Sequence, residues 1–191
     1  MIKEEKQKLR MSLIEKRKCI SEKEKKDCAI LARFIDSDLY NSCKTLLVYV
    51  SFGFEIETLS LIERALSDGK KVAVPLCNSA DCTIRFFLIS SLKQLKKGNY
   101  NILEPEEACC KELLETKAAL CVVPGLSFDK NGFRIGFGKG YYDRFLSEFR
   151  GISVGFCYEE LFVSDLLKDE YDKSVSFVIT ETKIYNTCQG E

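Results

Sequence analysis

Between Val122 and Leu146 the chain reads VVPGLSFDKNGFRIGFGKGYYDRFL, a stretch equipped to hold an anion. Glycines stand at 132, 136, 138 and 140, and Lys139 lies between the last two. Glycines at alternate positions admit positive φ and let main-chain N–H groups close on a phosphate. Lys139 adds a point charge. A helix opening at Tyr141-Tyr142-Asp143 adds free N–H groups and the positive end of its dipole. Asp143, in the first turn, stands where a Mg2+ ligand beside bound phosphates is wanted. The pattern is not a P-loop, because Gly140 follows Lys139 where Ser or Thr is required, and its glycine spacing differs from the dinucleotide fingerprint. A plainer reading is a hairpin loop whose glycines serve turns, and Asp129-Lys130-Asn131-Gly132 is a good turn. Turn chemistry alone does not call for three alternating glycines beside a lysine.

What the chain lacks narrows the chemistry further. It has no histidine, so Ser-His-Asp and Cys-His catalysis are excluded. Proton transfer falls to carboxylates, Lys, Tyr, water or the substrate. The ten cysteines are irregularly spaced, with no C-x-x-C pair and no secretory signal, and they read as reduced. A zinc site would need four thiolates. Lys+Arg and Asp+Glu each number 29, so no global basic footprint for nucleic acid exists. The basic stretch from Lys3 to Lys26 is interleaved with glutamates and reads as solvated helix faces. No segment is long and apolar enough to span a bilayer, and the N-terminus is too charged for a signal peptide. A cytoplasmic location, no membrane partner and a single domain over 1–191 are expected.

The elements that must position the loop follow from periodicity. Glu4 to Lys18 reads as a helix with Ile2, Leu9 and Leu13 on its apolar side. Ser21 to Glu24 reads as a capping box opening a second helix, with Cys28, Leu31, Ala32 and Ile35 inward. Thr45 to Ser51, Lys71 to Pro75, Thr83 to Ile89, Ala119 to Val123, Ile152 to Phe156 and Val175 to Thr180 read as strands. Glu57 to Leu66 reads as a helix with Leu59, Ile62 and Leu66 inward, Tyr141 to Phe149 as another, and Leu92 to Pro105 as irregular. Short apolar strands alternating with helices predict an α/β fold whose mainly parallel sheet is covered on both faces. An α+β domain with an antiparallel sheet is the alternative. In a parallel sheet the loop after Val123 lies at the ligand-binding edge.

The ordered motifs resemble one family. Pro124-Gly125-Leu126-x-Phe128-Asp129, followed by Gly136-x-Gly138-Lys139-Gly140-Tyr141-Tyr142-Asp143-Arg144, is similar to the signature of the 5-formyltetrahydrofolate cyclo-ligases. Lys6-x-x-Leu9-Arg10, Glu55-Ile56-Glu57-Thr58, Asn101-Ile102-Leu103-Glu104-Pro105 and Asp172 with Val175 to Glu181 resemble further family motifs. The resemblance implies a three-layer Rossmann-like α/β fold. It implies ATP- and Mg2+-dependent closure of 5-formyltetrahydrofolate, with or without a polyglutamate tail, to 5,10-methenyltetrahydrofolate. A monomer is expected. By similarity, Lys6 and Arg10 reach ATP phosphates. Arg134, Gly136, Gly138, Lys139, Gly140, Tyr141 and Tyr142 complete the ATP site. Lys139, Tyr141 and Arg10 are the catalytic candidates. Val50, Glu55, Phe137 and the Gly138-to-Tyr141 loop face the folate, and Asp143 and Asp172 bind Mg2+.

The same residues have plainer roles open to them. Lys6 and Arg10 could be solvated on one helical face, Glu55 could be a helix-start carboxylate, Asp172 could belong to a turn, and Tyr142 could pack its helix on the sheet. The chain also departs from the family pattern. Phe137 stands where many members have Arg, which removes one cation or shifts its role to Arg134. Ser127, Asn101 and Ser176 replace a small residue, Gly and Asp respectively. A non-catalytic nucleotide- or folate-binding relative and a phosphosugar isomerase-like enzyme remain the competing functions.

Overall fold

The computed structural model of the protein describes residues 2–98 and 102–188. The Asn101 position lies outside the described residues. α1 (Ile2–Lys18) consists of good helix formers, with Glu4 and Glu5 in its first turn and Lys16, Arg17 and Lys18 in its last, matching the helix dipole. Its inward face is not the expected apolar stripe. Lys6, Leu13 and Arg17 are buried, Leu9 is half-buried and Ile2 is exposed. The helix turns a basic face to the protein.

α2 (Lys23–Ile35) also departs from its sequence pattern. Glu22 holds the N-cap position in the left-handed region at φ 51° and no side-chain cap forms, so the expected capping box is not made. The buried face is Asp27, Ile30, Leu31 and Phe34, whereas Cys28 and Ala32 face solvent and Ile35 is half-buried. On this face Phe34 meets Tyr40 and Phe156 edge-on, at centroid distances of 5.4 and 5.2 Å. Asp27 is drawn in by the Tyr158 hydroxyl, which donates to its Oδ1 (2.7 Å). An inward carboxylate is invisible to a count of apolar residues.

Along the chain follow α3 (Asp38–Ser42), β1 (Thr45–Val48), α4 (Leu59–Ser67), β2 (Lys71–Asn78), β3 (Thr83–Ile89), β4 (Leu95–Lys97), β5 (Leu103–Pro105), β6 (Lys111–Glu112) and β7 (Leu120–Val123). Then come β8 (Ser127–Asp129), β9 (Arg134–Ile135), α5 (Tyr141–Glu148), β10 (Ile152–Phe156), β11 (Phe162–Val163), β12 (Phe177–Ile179) and β13 (Ile184–Asn186). α4 buries Leu61, Ile62 and Ala65, a phase shifted from the one expected. β4 and β5 pair within the stretch expected to be irregular.

The main sheet has eight strands in the order β13-β12-β10-β7-β1-β2-β3-β6. Its centre, β12-β10-β7-β1-β2, is parallel, and antiparallel strands extend both edges. β7 is buried at every residue, as a strand covered on both faces must be. The fold is therefore α/β with a mostly parallel central sheet flanked by helices. From β1 the chain moves through α4 to β2 on one side, and from β7 through α5 to β10 on the other. The order thus reverses between β1 and β7, and the crevice beyond their carboxyl ends is where such sheets bind ligands. Among the described residues no helix is long and apolar enough to cross a membrane. All ten cysteines are free.

Candidate active site

Beyond β1 the chain passes through buried Tyr49 and Val50 into a loop closed by two reciprocal bonds. Ser51 N–H donates to Thr58 Oγ1 (3.0 Å) and Thr58 N–H donates to Ser51 Oγ (3.1 Å). Inside this loop Phe52 N–H donates to Glu55 Oε2 (2.8 Å). Glu55 is thus a turn-closing carboxylate set before the Thr58 N-cap, and not the helix-start residue of the plainer reading. Burial pushes its carboxyl up to about 7, against the opposing effect of the Phe52 N–H. Tyr142 reaches toward the same region from α5. Its hydroxyl is buried without a hydrogen-bond partner among the described residues, and burial raises it well above the ordinary tyrosine value. Tyr49, Glu55, Cys77 and Cys121 are the groups that act on it electrostatically. An unpartnered buried hydroxyl costs about 1–3 kcal/mol unless a ligand or water completes it.

The stretch after β7 divides into two devices. Its first half is the β8–β9 hairpin, as the plainer reading had it. Asp129 is buried there, its Oδ1 accepting from the N–H groups of Asn131 and Phe133 (2.9 Å each) and its Oδ2 from Leu166 N–H (3.0 Å). Residues 136–140 form the second device. Arg10 Nε donates to Gly136 O (2.7 Å), fastening α1 to the loop. At Gly138, with φ +91°, the loop comes so close that an added Cβ would stand 2.9 Å from Arg10 Cζ. Gly140 is the N-cap of α5 at φ 70° and supplies no side-chain cap, so the positive end of the helix dipole faces the loop. Tyr141 is the first residue of α5 and is half-buried. Lys139 is exposed, and no carboxylate among the described residues lies within ion-pair distance of it.

The two expected metal carboxylates are brought together by main-chain contacts of Lys173. Arg134 Nη2 pairs with Asp143 Oδ1 (3.0 Å) and its Nη1 donates to Lys173 O (2.7 Å). Lys173 N–H donates to the same Asp143 Oδ1 (3.2 Å). Next in the chain, Asp172 Oδ2 accepts from Lys6 Nζ and from Asp169 N–H (2.7 Å). Lys6 also pairs with Asp169 Oδ2 (2.8 Å). Burial pulls the Lys6 ammonium down, but its bonds to Asp169 and Asp172 outweigh this and hold it above the ordinary lysine value. The hydrogen bond from Lys6 is the main reason Asp169 is held below the usual carboxylate range.

Each expected Mg2+ ligand therefore has one oxygen fixed by the protein, while Asp143 Oδ2 and Asp172 Oδ1 have no partner among the described residues. That is the outer-sphere arrangement that orients metal-binding carboxylates. No group of three or more candidate side chains that could hold a metal gathers among the described residues. The donor set fits an ion that takes one or two carboxylates and completes its shell with phosphate and water, as Mg2+ does. Arg134, whose side chain is 4% exposed, is committed to Asp143 and Lys173. It is not available to replace the cation absent at Phe137. Phe137 is exposed, and its ring meets Phe54 at 6.2 Å between centroids, joining the two loops.

Sequence reasoning missed a buried network behind these loops. Arg17 donates to Gly125 O and lies over the Tyr158 ring at 5.1 Å. Tyr158 in turn bonds Asp27, whose other oxygen accepts from Lys23 Nζ (2.5 Å) and Glu57 N–H (3.2 Å). The signal for Arg17 was available, because Lys6, Arg10 and Arg17 recur along one face of α1. Asp169 carried no comparable signal.

The sequence matches the 5-formyltetrahydrofolate cyclo-ligase family over residues 2–181. It is 28% identical over 187 residues to the 5-formyltetrahydrofolate cyclo-ligase of Mus musculus, covering 91% of this chain and 92% of that protein. A probable 5-formyltetrahydrofolate cyclo-ligase of Caenorhabditis elegans is 30% identical over 173 residues, with 83% and 84% covered. Among solved structures, the 5,10-methenyltetrahydrofolate synthetase of Aquifex aeolicus superposes with a TM-score of 0.84 at 27% identity, over 97% of this chain and 94% of that one. Family motif order, extent of match and fold agree, and the chain belongs to the 5-formyltetrahydrofolate cyclo-ligase family.

Proposed function

We propose that this cyclo-ligase converts 5-formyltetrahydrofolate to 5,10-methenyltetrahydrofolate with ATP and Mg2+, releasing ADP and phosphate. The formyl oxygen is a poor leaving group. Its attack on the γ-phosphate expels ADP and leaves a phosphorylated formyl group. N10 of the folate then attacks the formyl carbon, the five-membered ring closes, phosphate departs and N10 loses its proton. The protein's task is to align two substrates and neutralise phosphate charge, which needs no histidine.

In this reading Lys6, Arg10, Lys139, Tyr141 and the N–H groups of residues 136–140 hold the nucleotide. Asp143 and Asp172 would hold Mg2+, which neutralises phosphate charge when bound. Val50, Glu55 and Phe137 face the folate. The ionised Glu55 accepts hydrogen bonds from the amino and ring N–H groups of the pterin. Tyr142, which the family resemblance assigned to the ATP site, has a hydroxyl better suited to the folate side, because it is buried near Glu55. The observation that carries the reading is the direct linkage of residues drawn from scattered motifs. Lys6 contacts Asp172, Arg10 contacts Gly136, and Asp143 contacts the residue after Asp172. Pure protein with ATP, Mg2+ and 5-formyltetrahydrofolate is expected to generate the near-ultraviolet absorbance of the methenyl product. Its absence from folded protein overturns the reading, and tight ATP binding without phosphate release would assign a binding role instead.

A further inference from the structure

We propose that Asp169 is a positioning residue for the nucleotide: it keeps the Lys6 ammonium in place when Asp172 takes on a metal ion. The inference rests on the reading above, in which Lys6 meets phosphate and Asp172 meets Mg2+.

Two carboxylates share Lys6, and they are not equivalent. Asp172 meets Lys6 through Oδ2 and has Oδ1 open. Asp169 has both oxygens engaged, Oδ2 with Lys6 (2.8 Å) and Oδ1 with Tyr171 N–H (3.0 Å), so a metal there would have to compete with bonds already made. A divalent cation on Asp172 withdraws that carboxylate's charge from Lys6 and repels the ammonium directly. Lys6 is buried at 8% exposure, and a buried ammonium stripped of its counter-charge is no longer held at its position. Asp169 supplies a second anion that the metal does not claim. Lys6 and Mg2+ can then occupy one site together, each with a carboxylate of its own.

The inference runs against simple charge counting, which makes it testable. Asp169 is an anion beside a triphosphate site, so removing it should tighten ATP if repulsion were all that mattered. A positioning role has the opposite sign, and the effect is tied to the metal. The variant is Asp169→Asn, which keeps an oxygen for Tyr171 N–H. The measurement is the Kd of ATP without folate, so that no turnover occurs, by calorimetry in Mg2+ and again in EDTA.

In Mg2+ the variant is expected to bind ATP on the order of tenfold more weakly than wild type, as loss of an outer-sphere partner does elsewhere. In EDTA, where Asp172 still holds Lys6, the two proteins should differ by less than about twofold. Asp169→Glu should restore most of the Mg2+ affinity. Unchanged or tighter ATP binding in Mg2+ overturns the inference, and so does an equal loss in both buffers, which marks a turn-forming role only. Lys6→Met separates the two levels of argument. A loss there without a loss in Asp169→Asn removes this inference alone. No loss in either variant removes it together with the phosphate role of Lys6.

Discussion

At the proposed nucleotide end of the crevice most charges are already paired within the protein, Lys6 with Asp169 and Asp172, and Arg134 with Asp143. At the proposed folate end Glu55 is a desolvated carboxylate and the Tyr142 hydroxyl has no partner among the described residues. One end is assembled before a ligand arrives, and the other is left incomplete. The difference follows from the ligands proposed for each. A triphosphate and a metal bring charges that must find fixed, oriented partners, and a charged site left unpaired would be costly to fold. A pterin brings a flat edge of donors and acceptors into a drier pocket, where the protein can leave those partners for the substrate to supply. Substitutions at the two ends should therefore have opposite effects on the stability of the free protein.

The largest effect expected is on Lys139, the exposed cation of the charged end. Lys139→Ala should lower turnover at least about a hundredfold by removing a cation from the developing phosphoryl charge. Its stability should stay within about 0.5 kcal/mol of wild type, because the side chain is exposed. Steady-state rates and thermal melting decide this together, and near-normal turnover would mean the loop's role is misassigned.

Asp143→Asn tests the preassembled pairs. The half-saturating Mg2+ concentration should rise by roughly tenfold or more. Because Arg134 is left without its counter-charge, the free protein should also lose on the order of 2–3 kcal/mol, less than for a fully buried pair. A Mg2+ titration that does not move counts against metal binding there, and an unchanged urea midpoint counts against the pairing argument.

Glu55 tests the incomplete end through pH. Its carboxyl is raised in the folded protein to about 7 from an ordinary value of 4.5. The folded state is therefore favoured relative to high pH below about 4.5, and that advantage is lost as pH rises through about 7. Glu55→Gln should match wild type in stability at pH 4 and exceed it by up to about 3 kcal/mol at pH 8. Folate affinity in wild type should rise from pH 6 to pH 8 and be flat in the variant. Parallel stability curves for the two proteins would remove the contrast between the ends.

The smallest effect belongs to Tyr142. Tyr142→Phe removes an oxygen with no partner, so the free protein should be unchanged or more stable by up to about 1 kcal/mol, while folate binding weakens roughly threefold. A loss of more than about 1 kcal/mol in denaturant unfolding would show that the hydroxyl is satisfied after all.

The fold was legible where hydrophobicity alone shapes it. β3 and β10 have the limits their residues predict, and the parallel centre follows from their alternation with helices. Legibility failed where polar contacts set the geometry. α2 is rotated because Asp27 points inward, and α1 is rotated because Lys6 and Arg17 do. The β8–β9 hairpin was legible only as the plainer reading of the glycine stretch, and residue types did not show that Asp129 supplies the hydrogen bonds that short strands could not. At the site, residue types foretold which side chains would matter more than how they would be used. Arg134 was expected at the ligand and its bond to Asp143 was not foreseen, while Asp169 gave no sign of its contact with Lys6 until distant segments met.

The fastening at Lys173 has a consequence for how such a chain can vary. Both of its bonds, to Arg134 and to Asp143, use main-chain atoms. The position is therefore geometrically indispensable but chemically anonymous. Neither bond asks anything of the side chain, but proline, which has no N–H to give, cannot make the one to Asp143. A site built partly on such positions keeps its shape while its sequence drifts, and a search for invariant side chains would pass over the residue that sets the spacing between Asp143 and Asp172.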